Sequence, residues 1–228
     1  MRVAALAVGA FAVNSLPGLA PLVAPVADVL GIARRIDRSP GVALTFDDGP
    51  HPDGTPGVLE LLRRAGATAT FFLAGEQVEL RPALAAEIVA AGHGVGLHCH
   101  RHRNMLRLTP AQIADDLRRG AATIEDATGH SPRLHRPPYG IYTALGLAAV
   151  RTRWRPLLWS RWGRDWRARI SPHAIARMVT RDIGPGDVLL LHDADWYSAP
   201  GSWTRTLAAL PEVLGAIEAR GLKTVPAA

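Results

Sequence analysis

Short apolar runs alternate with longer amphipathic stretches along almost all of the chain after residue 38. The short runs are rich in β-branched and aliphatic residues and predict buried strands, whereas apolar residues spaced three to four positions apart predict helices. The predicted strands are 42–46, 69–73, 94–98, 134–136, 156–159, 188–191 and 222–224. The predicted helices are 56–65, 82–91, 110–127, 143–150, 172–182 and 204–220. This order of elements is typical of parallel βα units.

Proline and glycine mark the ends of these helices. Four of the six predicted helices begin with proline, which the first turn tolerates because an N–H there has no partner within the helix. Glycine follows five of them, where a left-handed residue commonly ends a helix. With 228 residues, 48% of them hydrophobic, the chain is long enough for one domain with its own core. We therefore expect a single catalytic domain over residues 39–228.

Residues 1–38 have a different character. The apolar run 3–13 is as long as the core of a signal peptide, yet no clean small-x-small cleavage site follows it. Pro17, Pro21, Pro25 and Asp28 interrupt the apolar stretch beyond that run, which argues against a simple membrane-spanning helix. We expect an apolar leader over residues 1–38, either a signal or membrane-associating segment or an arm that packs on the domain.

Chemically versatile residues stand at or just after the ends of the predicted strands. They are Asp47, Asp48, His98, Arg136 and His192. In a βα barrel the C-terminal ends of the strands converge on one mouth, where active sites lie. The pattern predicts an α/β fold of this kind, with an active site at the barrel mouth.

The net charge of +6 is carried almost entirely by arginine, since Lys223 is the only lysine. Seven arginines between Arg151 and Arg169 are interleaved with four tryptophans, a pattern that leaves nucleic-acid binding as a remote alternative. That segment spans a predicted strand and its exit loop and has no regular helical stripe, so we expect no nucleic-acid partner. Cys99 is the only cysteine, which excludes an intramolecular disulfide framework.

The pair Asp47-Asp48 and the later pair His98 and His102 together predict a metal site with a spare base. One Asp and two His leave an open position on a divalent metal such as zinc, and a second Asp beside them can take a proton from a metal-bound water. Taken alone, two Asp before Gly-Pro also fit an ordinary turn. Cys99 and His100 lie within the histidine pair but are left out of the expected ligand set.

Five segments, in chain order, resemble the motifs of polysaccharide deacetylases, the metal-dependent carbohydrate esterases that include chitin, chitooligosaccharide and peptidoglycan N-deacetylases. The segments are TFDDGP at 45–50, HCHRH at 98–102, RPPYG at 136–140, DW at 165–166 and LLLH at 189–192. The resemblance extends from about residue 41 to the C-terminus. It implies a distorted (β/α)7 barrel, polysaccharide-deacetylase-like, and hydrolysis of an acetamide on a glycan.

The resemblance also implies a role for each matching residue. Asp47 is the expected catalytic base, and Asp48, His98 and His102 are the expected metal ligands. Arg136 steadies the base, the backbone N–H of Tyr139 helps bind the oxyanion, and His192 is the general acid held by Asp165. The candidates for substrate contact are Trp162, Trp166, Leu190 and Pro138.

Acetamide cleavage itself requires a nucleophile, an electrophile for the carbonyl oxygen and an acid for the departing amine. An Arg136–Asp47 pair would keep the base ionised, and Asp165 would raise the pKa of His192 and keep it protonated. The chain departs from the family pattern at Cys99 and Arg103, and at Trp162, where the family often has another Asp. Trp162 is then a candidate sugar platform, while Leu190 and Trp166 also fit ordinary packing.

The resemblance implies an enzyme of the cell envelope or the extracellular space, which removes N-acetyl groups from a polysaccharide or oligosaccharide of N-acetylglucosamine type. The expected cofactor is a divalent metal ion, zinc first, with cobalt, nickel and iron as alternatives. A glycan O-acetyl esterase and a non-catalytic carbohydrate-binding homologue remain as alternatives. The sequence does not fix the oligomeric state.

Overall fold

The computed structural model describes residues 13–36 and 39–227, and the strands in these ranges form one parallel sheet. The strands are β1 Ala43–Asp47, β2 Thr70–Ala74, β3 Gly94–Cys99, β4 Leu134–His135, β5 Arg155–Pro156, β6 Arg161–Trp162 and β7 Val188–His192. The helices are α1 Ala24–Val29, α2 Gly54–Ala65, α3 Gly75–Leu80, α4 Pro82–Ala90, α5 Pro110–Thr128, α6 Ala144–Arg151, α7 Pro172–Thr180 and α8 Ser202–Glu218. Short 3-10 turns occupy Leu16–Leu19, Met105–Arg107 and Pro138–Gly140.

The strand order is β5-β4-β3-β2-β1-β7-β6, so the sheet curls into a distorted (β/α) barrel with β5 and β6 at its edges. β1 lies at the centre of the order, with β2 on one side and β7 on the other. Its burial is complete, as expected for a strand of a parallel sheet covered on both faces. This topology gathers the C-terminal ends of β1, β3, β4 and β7 at one end of the barrel.

The segment that precedes β1 pairs with the chain beside two separate strands, β5 and β7. Ala33 forms a parallel bridge with Leu157, just after β5, and Arg35 forms an antiparallel bridge with Asp187, just before β7. The carbonyl of Ala33 accepts from the N–H of Leu158 at 2.8 Å. Residues 33–35 therefore connect two parts of the barrel that do not pair with each other directly.

Within the N-terminal segment, the structure describes residues 13–36. Ala20, Ala27 and Ile32 are buried and belong to the hydrophobic core, while Leu22 and Val29 are 70% and 88% exposed. Across the ranges 13–36 and 39–227, no helix combines the length and the apolar character needed to cross a membrane. Residues 1–12, which include most of the predicted apolar run 3–13, lie outside the described residues, as do residues 37, 38 and 228.

Six of the predicted strands correspond to observed ones within a few residues, but the seventh prediction, 222–224, is wrong. Only Thr224 pairs with the sheet there, through an isolated bridge to Val42. The remaining observed strand is β6, Arg161–Trp162, whose two residues are too few to show an alternating pattern. The six-residue helix α3 was also not predicted, because it follows β2 without a loop and is shorter than two full turns.

Candidate active site

The strand ends open into a cavity of about 280 Å³. Among the residues that line it are Asp47, Asp48, His98, His102, Tyr139, Trp162, Trp166, Leu190 and His192. Arg136 and Asp165 lie behind this lining, each fully buried against a residue that does face the cavity. Sequence-predicted residues from β1 to β7 thus come together at one end of the barrel.

Asp48, His98 and His102 form the cluster able to hold a metal among the described residues. The Oδ1 atom of Asp48 lies 3.2 Å from Nε2 of His98 and 3.4 Å from Nε2 of His102. This oxygen is buried and has no hydrogen-bond partner within the described part of the chain. Such an atom between two imidazole nitrogens is costly to bury unless a cation binds there. The donor set therefore fits a divalent metal with open positions.

The tautomer of His98 agrees with this assignment. Its Nδ1 lies 2.8 Å from the backbone oxygen of Arg136. Because a carbonyl oxygen can only accept, Nδ1 carries a proton, and Nε2 is the nitrogen that faces Asp48. A hydrogen bond of this kind usually orients a metal-binding histidine.

The electrostatics keep the cluster in its metal-binding protonation state. Burial alone would raise the pKa of Asp48, but the imidazoles of His98, His192 and His102 bring it to about 2. Burial lowers the pKa of His102 to about 4, against the opposing effect of Asp48. Metal ligands must be deprotonated, and at neutral pH both of these groups are.

Asp47 ends β1 and pairs with a fully buried cation. Its Oδ1 accepts from Nη1 of Arg136 at 2.6 Å. The same guanidinium donates to the carbonyls of Leu157 and Leu158, and its Cζ lies 4.0 Å from the ring centroid of Phe72. The arginine is thus held on several sides, and its position fixes that of the Asp47 carboxylate.

His192 ends β7 and pairs in register with Asp47 on the neighbouring strand. Its Nδ1 lies 2.9 Å from Oδ1 of Asp165, whose Oδ2 accepts from the N–H of His192 and from the hydroxyl of Thr206. Burial alone would lower the pKa of His192, but Asp165 and, less strongly, Asp48 and Asp47 raise it to about 10. At neutral pH the imidazole is protonated and can donate a proton.

Aromatic side chains line the side of the cavity next to His192. Trp166 meets the His192 ring edge-on, with 5.5 Å between centroids, and Trp162 lies 5.4 Å from Trp166. Tyr139 is 56% exposed and has a φ of 62°, in the left-handed region. Pro138 does not line this cavity and instead borders a small one behind His98 and His135. Of the four candidate substrate contacts, Trp162, Trp166 and Leu190 face the site.

Cys99 and His100 do not belong to the metal cluster. Cys99 is buried and borders the small cavity behind His98 rather than the cavity that the metal cluster faces. The His100 ring lies near Glu79, with Nε2 3.7 Å from Oε1, and the backbone N–H of His100 donates to Oδ2 of Asp116 at 2.8 Å. Leaving both residues out of the ligand set agrees with this geometry.

Residues 193–201, which we call the closing loop, form a wall of the site through Tyr197 and Ser198. Asp193 is fully buried and accepts a hydrogen bond from the Thr55 hydroxyl. Tyr197 lines the cavity and stacks on His102. The only signal in the sequence was an unusual density of polar and aromatic residues directly after His192, which has no periodicity to interpret.

Comparisons with known proteins find both similar sequences and similar folds. The family model for polysaccharide deacetylase matches residues 35–152. A chitooligosaccharide deacetylase from Azorhizobium caulinodans is 34% identical over 207 residues, which cover 87% of this chain and 98% of that protein.

Solved structures of similar fold include two informative cases. The Bc1960 peptidoglycan N-acetylglucosamine deacetylase superposes with a TM-score of 0.80 at 27% identity, covering 88% of this chain and 92% of that one. BA3943 from Bacillus anthracis, described as a CE4 family pseudoenzyme, gives a TM-score of 0.75 at 28% identity, covering 85% and 66% of the two chains. The same fold therefore occurs in an active deacetylase and in a pseudoenzyme.

Proposed function

The chain belongs to the polysaccharide deacetylase family, and on this premise we propose that it removes N-acetyl groups from a glycan built on N-acetylglucosamine. The observation that carries the proposal is the position of a carboxylate and an imidazole, each with its own buried ionic partner, beside one metal cluster. Asp47 is paired with a buried arginine, and His192 is paired with a buried carboxylate. Hydrolysis of an acetamide requires a base for the attacking water and an acid for the leaving nitrogen of the same amide group. Asp47 and His192 are neighbours in register on adjacent strands.

We propose that Asp48, His98 and His102 hold a divalent metal, zinc first, with cobalt, nickel or iron as alternatives. When bound, such a metal supplies Lewis-acid polarisation and lowers the pKa of water. Two imidazole nitrogens and one carboxylate oxygen suit this group of metals. Metal dependence is general in this family, and the identity of the ion is part of the proposal.

In the proposed mechanism Asp47 accepts a proton from the attacking water as the new C–O bond forms. Arg136 stabilises the ionised carboxylate and fixes its position. His192 then gives its proton to the amine nitrogen as the C–N bond breaks, which leaves acetate and a free amine on the sugar. Asp165 holds the imidazole in the protonated form that this step requires. By its likeness to the family motif, the backbone N–H of Tyr139 is proposed to bind the oxyanion.

An acetate-release panel over N-acetylated and O-acetylated glycans tests this proposal, with metal-free protein and with added zinc, cobalt, nickel or iron. We expect metal-dependent release from N-acetylglucosamine oligomers. Release from O-acetyl esters alone would favour the esterase alternative. No release with any metal would favour the non-catalytic alternative and refute the proposal.

Two variants test the assigned roles, and each has a matched control on the surface. Asp47→Asn and His192→Ala should each lower turnover by about 10²–10⁴-fold while metal binding is retained. Asp126→Asn and His130→Ala change the same residue types at exposed positions and should leave turnover unchanged. Wild-type rates in either site variant would refute the role given to that residue.

We propose a cell-envelope or extracellular location, with the N-terminal segment associating with a membrane. Exposed apolar side chains support this proposal: Leu16, Leu19, Leu22, Val23 and Val29 lie between 40% and 88% exposed. Co-sedimentation with anionic phospholipid vesicles tests it. The double substitution Leu22→Glu and Val29→Glu should abolish sedimentation, whereas Leu80→Glu, at a 70% exposed position on α3, should not. Equal sedimentation of all three proteins would contradict this assignment.

A nucleic-acid partner remains the least supported alternative. Trp159, Trp162 and Trp166 line the site cavity, and Trp154 is mostly buried, so the tryptophans of that segment have other roles. Binding to single-stranded nucleic acid that falls steeply with salt, with or without metal, would favour this alternative.

A further inference from the structure

The two histidines of the metal cluster are held in different ways. His98 has the usual arrangement, since its Nδ1 donates to a backbone carbonyl. The Nδ1 of His102 is buried and has no hydrogen-bond partner among the described residues. His102 also lies beyond the end of β3, where no strand fixes its direction. Its ring orientation must therefore depend on another contact.

That contact is the ring of Tyr197. The two rings are almost parallel, at 8°, with 4.1 Å between their centroids. Tyr139 meets the His102 ring edge-on, at 70° and 4.7 Å, but Tyr139 is largely exposed. The stack with Tyr197 restricts rotation of the imidazole about its side-chain bonds while Nε2 points at Asp48.

Two hydrogen bonds fix the position of Tyr197 itself. Its hydroxyl donates to Oε1 of Glu76 at 2.5 Å and accepts from Nε2 of Gln77 at 3.2 Å. Burial raises the pKa of Tyr197, so the hydroxyl keeps its proton and remains a donor. The same Glu76 oxygen accepts from the N–H of His102 at 3.5 Å. Helix α3 thus holds the backbone of His102 and the ring that covers it.

Contacts of its neighbours Asp195 and Trp196 hold the closing loop on which Tyr197 lies. Asp195 accepts from the N–H of Gly201 at 2.6 Å and lies 3.4 Å from Nε2 of His51. Trp196 lies between the His51 ring, at 4.6 Å, and the Arg81 guanidinium, also at 4.6 Å. These contacts fix the chain directly before Tyr197.

We propose that Tyr197 is a positioning residue for the metal ligand His102, and that its stacked ring replaces the hydrogen bond that orients His98. Glu76 supports this role by holding the tyrosine hydroxyl. The inference rests on the proposed metal site. It predicts that the flat aromatic face matters more for metal affinity than the hydroxyl does.

Metal titration separates these contributions without relying on turnover. Cobalt is added to metal-free protein while its visible absorption is recorded, and zinc affinity is measured by competition with a chromogenic chelator. Tyr197→Leu should weaken zinc binding by about 10–100-fold, which is typical when a residue that orients a metal ligand is removed. It should also change the cobalt spectrum. Tyr197→Phe keeps the stacked ring and should weaken zinc binding by less than about 3-fold. Glu76→Gln, which retains an acceptor oxygen, is the matched control and should also stay within this limit.

Wild-type zinc affinity and an unchanged cobalt spectrum in Tyr197→Leu would overturn the inference. If thermal unfolding shows that this variant does not fold, Tyr197→Met provides the same test with a more adaptable side chain. A loss in Tyr197→Phe as large as that in Tyr197→Leu would also contradict it, because the hydroxyl would then be the important group. Failure of the wild-type protein to bind any metal would instead refute the proposed metal site.

Discussion

The two sides of the site cavity are built by different means. On the strand side, Asp47, His98 and Arg136 lie at or next to the ends of strands. Backbone carbonyls accept from His98 and Arg136, and the buried Arg136 pairs with Asp47. On the side of the closing loop, Trp196 is held by ring contacts, and Tyr197 is held by side chains of helix α3. The strand side carries the proposed chemistry, and the loop side restrains one ligand of it.

This difference has an energetic consequence. A buried cation with several fixed acceptors leaves uncompensated charge and unpaired polar atoms when it is removed. A ring contact or a partly exposed cation contributes less, and its neighbours can adjust. Equal substitutions on the two sides should therefore have unequal effects.

Arg136→Met is the change on the strand side with the largest expected effect. It removes every donor that pairs with Asp47, Thr45 and the carbonyls of Leu157 and Leu158. We expect a loss of about 3–5 kcal/mol in the free energy of unfolding, because Asp47 stays buried without its partner. Urea unfolding measures this loss, and turnover should fall with it. The double variant Asp47→Asn, Arg136→Met should recover part of the stability, and no recovery would show that the pair is not the main cause.

Asp165→Asn tests the strand side through pH. The pKa of folded His192 is raised to about 10 from an ordinary 6.5. Protonation therefore favours the folded state fully below about pH 6.5, and this contribution disappears as the pH rises towards 10. The variant should be less stable than the wild type by roughly 2–4 kcal/mol at pH 6, and the difference should shrink by pH 9.5. Urea midpoints of the metal-free proteins at both pH values measure this, and a constant difference would contradict it.

The same contrast between the two sides explains how much the sequence could predict. Residues at strand ends were predictable because the barrel topology fixes where each strand ends, so Asp47, His98 and His192 met as expected. Tyr197 could not be placed, because the contact with His102 spans 95 positions and follows no period. The strand β6 and helix α3 were too short for a pattern. Thr224 lies in a segment of strand-like composition in which only one residue pairs with the sheet.

Asp193→Asn tests the closing loop through a different pH window. Burial raises the pKa of Asp193 to about 7 from an ordinary 3.8, with Thr55 opposing it. The wild-type protein therefore loses stability as the pH rises from about 4 to 7, because the folded state disfavours the charged carboxylate. The asparagine variant does not titrate there, so its stability relative to the wild type should increase by roughly 1–3 kcal/mol between pH 4 and pH 8. A relative stability that stays flat over this range would show that the pKa of Asp193 is not raised in the folded protein.

Arg81→Met repeats the arginine substitution on the loop side and should have the smallest effect. Its guanidinium lies over Trp196 and donates to Oε1 of Gln77 at 2.9 Å, but it is partly exposed. A cation–π contact in such a place contributes about 0.5–1 kcal/mol, so urea unfolding should show a loss of that size. Zinc affinity should change by less than about 3-fold, because Glu76 still holds the Tyr197 hydroxyl. A loss as large as that of Arg136→Met would mean that the closing loop, and not the strand ends, dominates the stability of the site.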